Sequence, residues 1–387
     1  MTRKEFIKIC GVLGISIPFQ ASMSSCEKES ITPNTTDKVI IIGAGAAGLS
    51  AAYLLNQAGV HFELLEASGN YGGRMKRTTS FADFPIPLGA EWMHVAPSIL
   101  DEIVNDSSVQ ININTTPYNS ATDYGLFQGE EISVEEIGFT IDRKFINATW
   151  LDFFEQYIVP SIEDRIQFNQ VVQSIDYSGE QVIVKTSNEE FTADKVIITV
   201  PLKILQNGNI SFLPELPNDK QEAINNARVW DGCKAFIEFS ESFYPAFTAF
   251  ETIPETAGQK LYYDASYGQN TTQAILGLFA VGSEALPYLQ SSDEDLIQLM
   301  LNELDEIYDN QASAKYIKHT FQNWNEEPFI HGAYLYDYED WRIVDKLAES
   351  VGDQLLFAGE AYAFANDWGS VHVAARTAKR AVEELVG

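Results

Sequence analysis

The stretch "VIIIGAGAAGLSAAYLLNQAGVHFELLE" restricts the possible folds of this chain more than any other. Val39 to Ile42 is a continuous apolar run, as a strand needs when a parallel sheet is covered on both faces. Gly43, Gly45 and Gly48 follow at G-x-G-x-x-G spacing. A helical pattern then runs from Ala46 to Gln57, and Gly59 is placed to close it. A second strand, "VHFELLE", ends at Glu66. Each part has a physical task. Gly43 permits a tight turn, Gly45 lets the backbone approach a pyrophosphate, and Gly48 lets the helix pack closely on the strand. Ala46 and Ala47 open the helix, whose first N–H groups are unpaired and lie at the positive end of its dipole. Glu66 stands about twenty residues past the glycine turn, where an acid meets ribose hydroxyls and would repel a 2′-phosphate. Strand, turn, helix, strand and acid in register imply a Rossmann-like dinucleotide-binding unit in an α/β fold. NAD and FAD both remain open on these residues.

The bulk numbers narrow the class. The chain has 387 residues, 45% of them hydrophobic, enough for a sizeable core and more than one domain. A net charge of -30 argues against nucleic acid as a partner, because its binders need a basic face. The charge suits a cationic small molecule, and equally a plain solubilising surface. Three cysteines form no disulfide framework and no zinc spacing, and no HExxH is present, so no metal site is expected. At the start, the basic "TRKEFIK" precedes the apolar "ICGVLGISIPF" and then "SMSSC". This order predicts an export signal over residues 1–26, followed by a polar tether over 27–36. "TRKEFIK" resembles a twin-arginine signal with Lys4 in place of one arginine. "MSSC" resembles a lipoprotein box with Cys26 as the lipidated residue. Cleavage nearby without lipid, or an uncleaved anchor, are the alternatives.

Further motifs follow in order. "EASGNYGGRMKRT" sets Ala67, Gly72, Gly73 and Arg74 just past Glu66. "PLGAEWMHVAP" carries Gly89, Ala90, Glu91, Trp92 and His94. A long block, "FNQVVQSIDYSGEQVIVKTSNEEFTADKVIITVPLKIL", is followed by the strand "KAFIEF", opened by Lys234. "FQNWNEEPFIHGAYLY" holds Trp324 and Tyr334, and "LLFAGEAYAFANDWGSVHV" holds Gly359, Glu360, Ser370 and Val371. In order and spacing these segments resemble the flavin-containing amine oxidases, the monoamine and polyamine oxidases with L-amino-acid oxidases nearby. The resemblance covers 38–97, 165–245 and 320–385.

It implies FAD, an amine or amino-acid donor, and oxygen or another acceptor. It implies that Arg74 meets the phosphate and flavin surroundings, and that the segment from Gly89 to Trp92 lies beside the flavin with His94 near it. It places the Val172 backbone at the adenine, and Gly359 and Glu360 at the ribityl and phosphate region. A helix starting near Ser370 would face the flavin pyrimidine. Tyr334 would be one wall of an aromatic cage. Ala333 falls where some relatives carry a flavin-bonding cysteine, so FAD is expected to be noncovalent. Lys234 would hold a water against flavin N5. On its own, the strand leaves Lys234 open: alternation sets it with Phe236 and Glu238 on one face, either solvated or turned into a site.

The departures from the pattern matter as well. Ser370 stands where a second aromatic wall is expected, with Trp368 two residues away as a substitute. Val373 and Ala378 replace glycines. The stretch between Trp92 and Phe168 is short and polar. It reads as irregular, with three short helices at most, giving a reduced lobe, an open pocket and a bulkier substrate. The expected FAD-binding domain is discontinuous, over 37–96, 163–228 and 350–387, with an α+β substrate domain over 97–162 and 229–349. Three readings stand: amine oxidation, FAD-dependent C–C desaturation of a hydrophobic substrate, and an FAD-binding surface lipoprotein without catalysis.

Overall fold

The structure is a computed structural model that describes residues 37–129, 131–138, 140–250, 258–338, 345–363 and 369–387. The expected export signal, Cys26, the tether and Trp368 lie outside the described residues.

Val39–Ile42 is the middle strand of a five-stranded parallel sheet. The order is Leu355–Phe357, Lys195–Ile198, Val39–Ile42, Phe62–Leu65, Ile166–Gln167. All four residues of the middle strand are buried, as their apolar run requires. The glycine-turn helix spans Ala46–Ala58, and Gly59 closes it in the left-handed conformation. It packs against the C-terminal helix Val371–Val386 in one apolar cluster on one face of the sheet. Val373 and Ala378 are both buried in that helix, so the two glycine replacements are absorbed by packing. The block after Phe168 folds into a four-stranded sheet on the other face, with Val172–Asp176 and Val182–Thr186 as its inner strands.

A second large sheet has seven strands. Its order is Tyr316–Asn323, Gly232–Phe239, Ala274–Gly282, Gly258–Asp264, Phe247–Phe250, Asp123–Gln128, Glu131–Glu136. The alternation read around Lys234 holds, with both faces buried. Cys233, Ala235, Ile237 and Phe239 join the core under the helix Asp293–Ile307. That helix is capped by the Ser292 side chain, and it sends Leu296, Met300, Leu304 and Ile307 inward at helical spacing. Phe236 joins Trp92 and Tyr263 on the opposite face. The chain passes between the sheets beside a short ribbon, Ala227–Val229 paired with Leu335–Tyr338.

One expectation needs correction. The stretch between Trp92 and Phe168 is not irregular. It supplies the hairpin Asp123–Gln128 and Glu131–Glu136, which extends the seven-stranded sheet, and a second pair, Thr115–Pro117 with Arg143–Phe145. Its helices are Ile99–Val104 and Trp150–Tyr157, with two short 3-10 turns near Pro160 and Asp164. Among the described residues no helix is long and apolar enough to cross a membrane.

Candidate active site

A cavity of about 1060 Å³ opens at the carboxyl ends of the parallel strands. Gly43, Glu66, Phe168, Thr199 and Gly359 each follow one of the five strands, and all line it. This is the crevice where open α/β sheets bind ligands.

Two helix N-termini border the cavity. Gly45, Ala46 and Ala47 bring in the first. Its N-cap Gly45 offers no side-chain cap, so the leading N–H groups face the cavity unsatisfied. A Cβ on Gly45 would meet nothing within 4 Å, whereas one on Gly48 would lie 1.8 Å from the Gly43 carbonyl oxygen. Gly45 therefore leaves room for a ligand and Gly48 permits the packing behind it. Ser370, Val371 and Ala374 bring in the second N-terminus. The Ser370 side chain makes no cap bond there; its Oγ lies 3.3 Å from His372 Nε2.

The acid between the strands is held in place. Glu66 Oε2 accepts from the Ala44 N–H at 2.7 Å, and Oε1 accepts from the Ser68 N–H and hydroxyl, both at 2.9 Å. Ser68 was not legible as a site residue. Arg74 joins three separate segments. Its Nη1 donates to Glu360 Oε1 at 2.9 Å and to the Ala333 carbonyl. Gly72, Gly73, Gly89, Ala90, Glu91, Trp92 and Trp324 complete this side of the wall.

Lys234 is buried at 3% exposure and lines the cavity, so it is no solvated strand residue. Its Nζ donates to Pro87 O at 3.0 Å, Gly89 O at 3.2 Å and Glu91 Oε2 at 2.6 Å. These three acceptors match the three N–H groups of an ammonium. Burial pulls its pKa down, opposed by Glu91. For Glu91, burial acts upward, but Lys234 and Lys144 outweigh it and hold the carboxyl below the usual range.

The aromatic wall is fuller than the sequence suggested. Tyr334 lies edge-to-face with Trp230, centroids 5.7 Å apart, and Trp230 stacks on Tyr336 at 4.4 Å. All three line the cavity with Phe279. Ser370 supplies no ring, as expected, but Trp230 does, from the turn just before the Lys234 strand. Its aromatic type was visible in the sequence; its position beside Tyr334 was not. His94 also lines the wall, with Nδ1 2.9 Å from Asp142 Oδ1.

Three expected residues do not line the cavity: Gly48, Ala67 and Val172. Gly48 serves packing. The Val172 side chain is buried in the core between the parallel sheet and the four-stranded sheet, whereas the expectation concerned its backbone. Phe168 and Tyr71, centroids 6.2 Å apart, line the cavity at this end. Ala67 lies between Glu66 and Ser68, whose side chains do line it.

An extended dinucleotide fits this arrangement: two helix N-termini, an open cradle at Gly45 and a fixed acid. FAD bound here has no thiol to bond at Ala333. The Cys233 thiol, also on the wall, is pushed up to about 12 by burial and stays protonated.

A family model for flavin containing amine oxidoreductases matches residues 152–386, and one for NAD(P)-binding Rossmann-like domains matches 41–104. Polyamine oxidase 2 of Arabidopsis thaliana is 26% identical over 440 residues, 89% of this chain and 87% of that protein. Lysine-specific histone demethylase 1B of Mus musculus is 30% identical over 203 residues; the match spans 51% of this chain and only 25% of that protein. Among solved structures, cyclohexylamine oxidase from Brevibacterium oxydans superposes with a TM-score of 0.76 at 15% identity, over 91% of this chain and 99% of that one. At that identity the likeness is one of fold.

Proposed function

The chain belongs to the flavin containing amine oxidoreductase family, and from that premise we propose which residues act and on what. FAD is the cofactor and an amine is the electron donor. Bound noncovalently, FAD supplies the two-electron acceptor for oxidation of the donor's C–N bond to an imine, and oxygen or another acceptor takes the electrons onward.

The protein's part is binding, orientation and charge. The Ala46 and Val371 helix ends hold anionic groups by the N–H donors of their first turns. Glu66 receives ribose hydroxyls, and Arg74 is steadied by Glu360. Tyr334 and Trp230 form an apolar corner that orients the donor carbon and excludes water. Burial, then Glu360, pushes the Tyr334 phenol up, so it stays neutral. His94, paired with Asp142, is the wall residue suited to receive a proton from an incoming ammonium. Lys234 is a fixed cation on the same wall. The observation that carries this reading is that one cavity joins both helix N-termini, Lys234 and the Tyr334–Trp230 corner.

The donor class proposed is a small amine or amino acid, with a bulkier amine-bearing molecule admitted by the size of the cavity. The N-terminal segment is proposed to export the enzyme and to anchor it through a lipid on Cys26. The purified protein should show flavin absorbance. Anaerobic mixing with a monoamine, a polyamine, an amino acid and a lysine-bearing peptide should bleach it with at least one of them. Absence of flavin, or retained flavin that no amine bleaches, overturns the reading.

A further inference from the structure

Behind Lys234 lies a set of charges that binding of a dinucleotide does not require. Glu91, 6% exposed, stands between two lysines that are each 3% exposed. Lys234 Nζ is 2.6 Å from Glu91 Oε2, and Lys144 Nζ is 3.1 Å from Oε1. Lys144 also donates to the carbonyls of Ala265 at 2.8 Å and Asp264 at 3.3 Å. The Tyr263 hydroxyl donates to Glu91 Oε2, and its ring stands 5.3 Å from Lys234 Nζ and 5.7 Å from Lys144 Nζ. The other carboxyl facing Lys144 is that of Asp264, which accepts from the Ser266 N–H. Glu91 and Lys234 reach the cavity wall, while Lys144 lies behind them and comes from the strand Arg143–Phe145.

Burying three charges is costly, and well-packed apolar residues of similar volume are often as stable or more so. A purely structural strut would not need them. The arrangement does have an electrostatic consequence. A carboxylate shared by two ammonium groups compensates each only in part. Lys234 therefore presents more positive charge to the cavity than it would in a closed pair with Glu91, and in a poorly screened interior that difference reaches the occupant.

We propose that Lys144 is a positioning residue for the flavin site. It acts through Glu91 to keep the Lys234 wall positive, which favours the reduced, more negatively charged form of the bound cofactor. The inference rests on the FAD reading above.

The test measures the two-electron midpoint potential of the bound flavin, with FAD affinity and thermal melting alongside, in the wild type, Lys144→Met, Lys144→Arg and Glu91→Gln. Lys144→Met leaves Glu91 to Lys234 alone. It should weaken reduced relative to oxidised flavin binding about tenfold, a negative shift of about 30 mV. Glu91→Gln removes the carboxylate and should shift the potential the other way. Lys144→Arg keeps the charge and should stay near the wild type. Structural damage would move both charge-removing variants in the same direction, so opposite signs support the proposal. Equal signs, or unchanged potentials with FAD bound, overturn it. So does loss of FAD from both charge-removing variants while the wild type retains it, since the group is then structural. If the wild type itself holds no FAD, the functional reading falls and this inference with it. If the wild type is bleached by an amine and only the signs fail, the functional reading stands.

Discussion

Lys220 and Lys234 are both buried, yet they meet different acceptors. Lys234 faces three, one of them a carboxylate. Lys220 donates to the carbonyls of Leu347 at 2.8 Å and Glu349 at 2.6 Å and stands 3.5 Å from the centre of the Phe357 ring, with no carboxylate among its hydrogen-bond partners. Burial first, then Arg380, brings the Lys220 pKa down to about 7. The unfolded chain keeps that proton up to the ordinary lysine value of about 10.4. Between those values the unfolded state binds more protons, so stability rises with pH; below about 7 both states are protonated and the full penalty applies. Urea unfolding of the wild type should show this rise, and Lys220→Met should flatten it. An equal slope in both proteins would remove Lys220 as its source. At the site, Trp230→Leu should lower kcat/KM for the best amine about three- to tenfold, in line with about 0.5–1.5 kcal/mol for an aromatic pair. Unchanged kcat/KM would take Trp230 out of the substrate wall.

At the level of elements, the joint between the first strand and its helix separates folding from binding. Gly48→Ala drives a Cβ into the Gly43 carbonyl and should destabilise the cofactor-free protein by about 1–3 kcal/mol or more, read by denaturant unfolding. Gly45→Ala meets open space. It should unfold like the wild type, yet bind FAD at least tenfold more weakly, because the methyl group occupies the ligand's approach. A Gly45→Ala protein that binds FAD normally would show that the pyrophosphate does not pass there. The elements differ in how well the sequence disclosed them. The helix read as Ala46 to Gln57 runs to Ala58, with Gly59 closing it as expected. Its start and its stop are both marked by glycines, signals that are local in the chain. The hairpin ending at Glu136 was missed because its outer strand is exposed along nearly its whole length, so no period-2 burial pattern marks it.

For the whole molecule, a net charge of -30 acts at range. It should draw in a cationic amine, so kcat/KM should fall as salt rises toward about 0.5 M, where the Debye length is about 4 Å. An uncharged donor should show little change. A cationic donor with no salt dependence would assign the acidity to solubility alone. Localisation is also a property of the whole chain. Replacing Cys26 by Ser should move the protein from the membrane pellet to the soluble fraction; an unchanged distribution would remove the proposed lipid.

The sequence by itself determined the dinucleotide unit, because its glycines, helix start and acid are local in the chain and each answers a local constraint. It also marked Arg74, Glu91, Lys234, Tyr334, Glu360 and Ser370 as candidates, and all of them line one cavity. Only the tertiary structure decided what those residues do to one another. Lys144 reaches Glu91 from a segment that reads as polar and irregular, and Trp230 meets Tyr334 across the ribbon between the sheets. Pairings over such separations follow from sheet order and register, which no local pattern specifies.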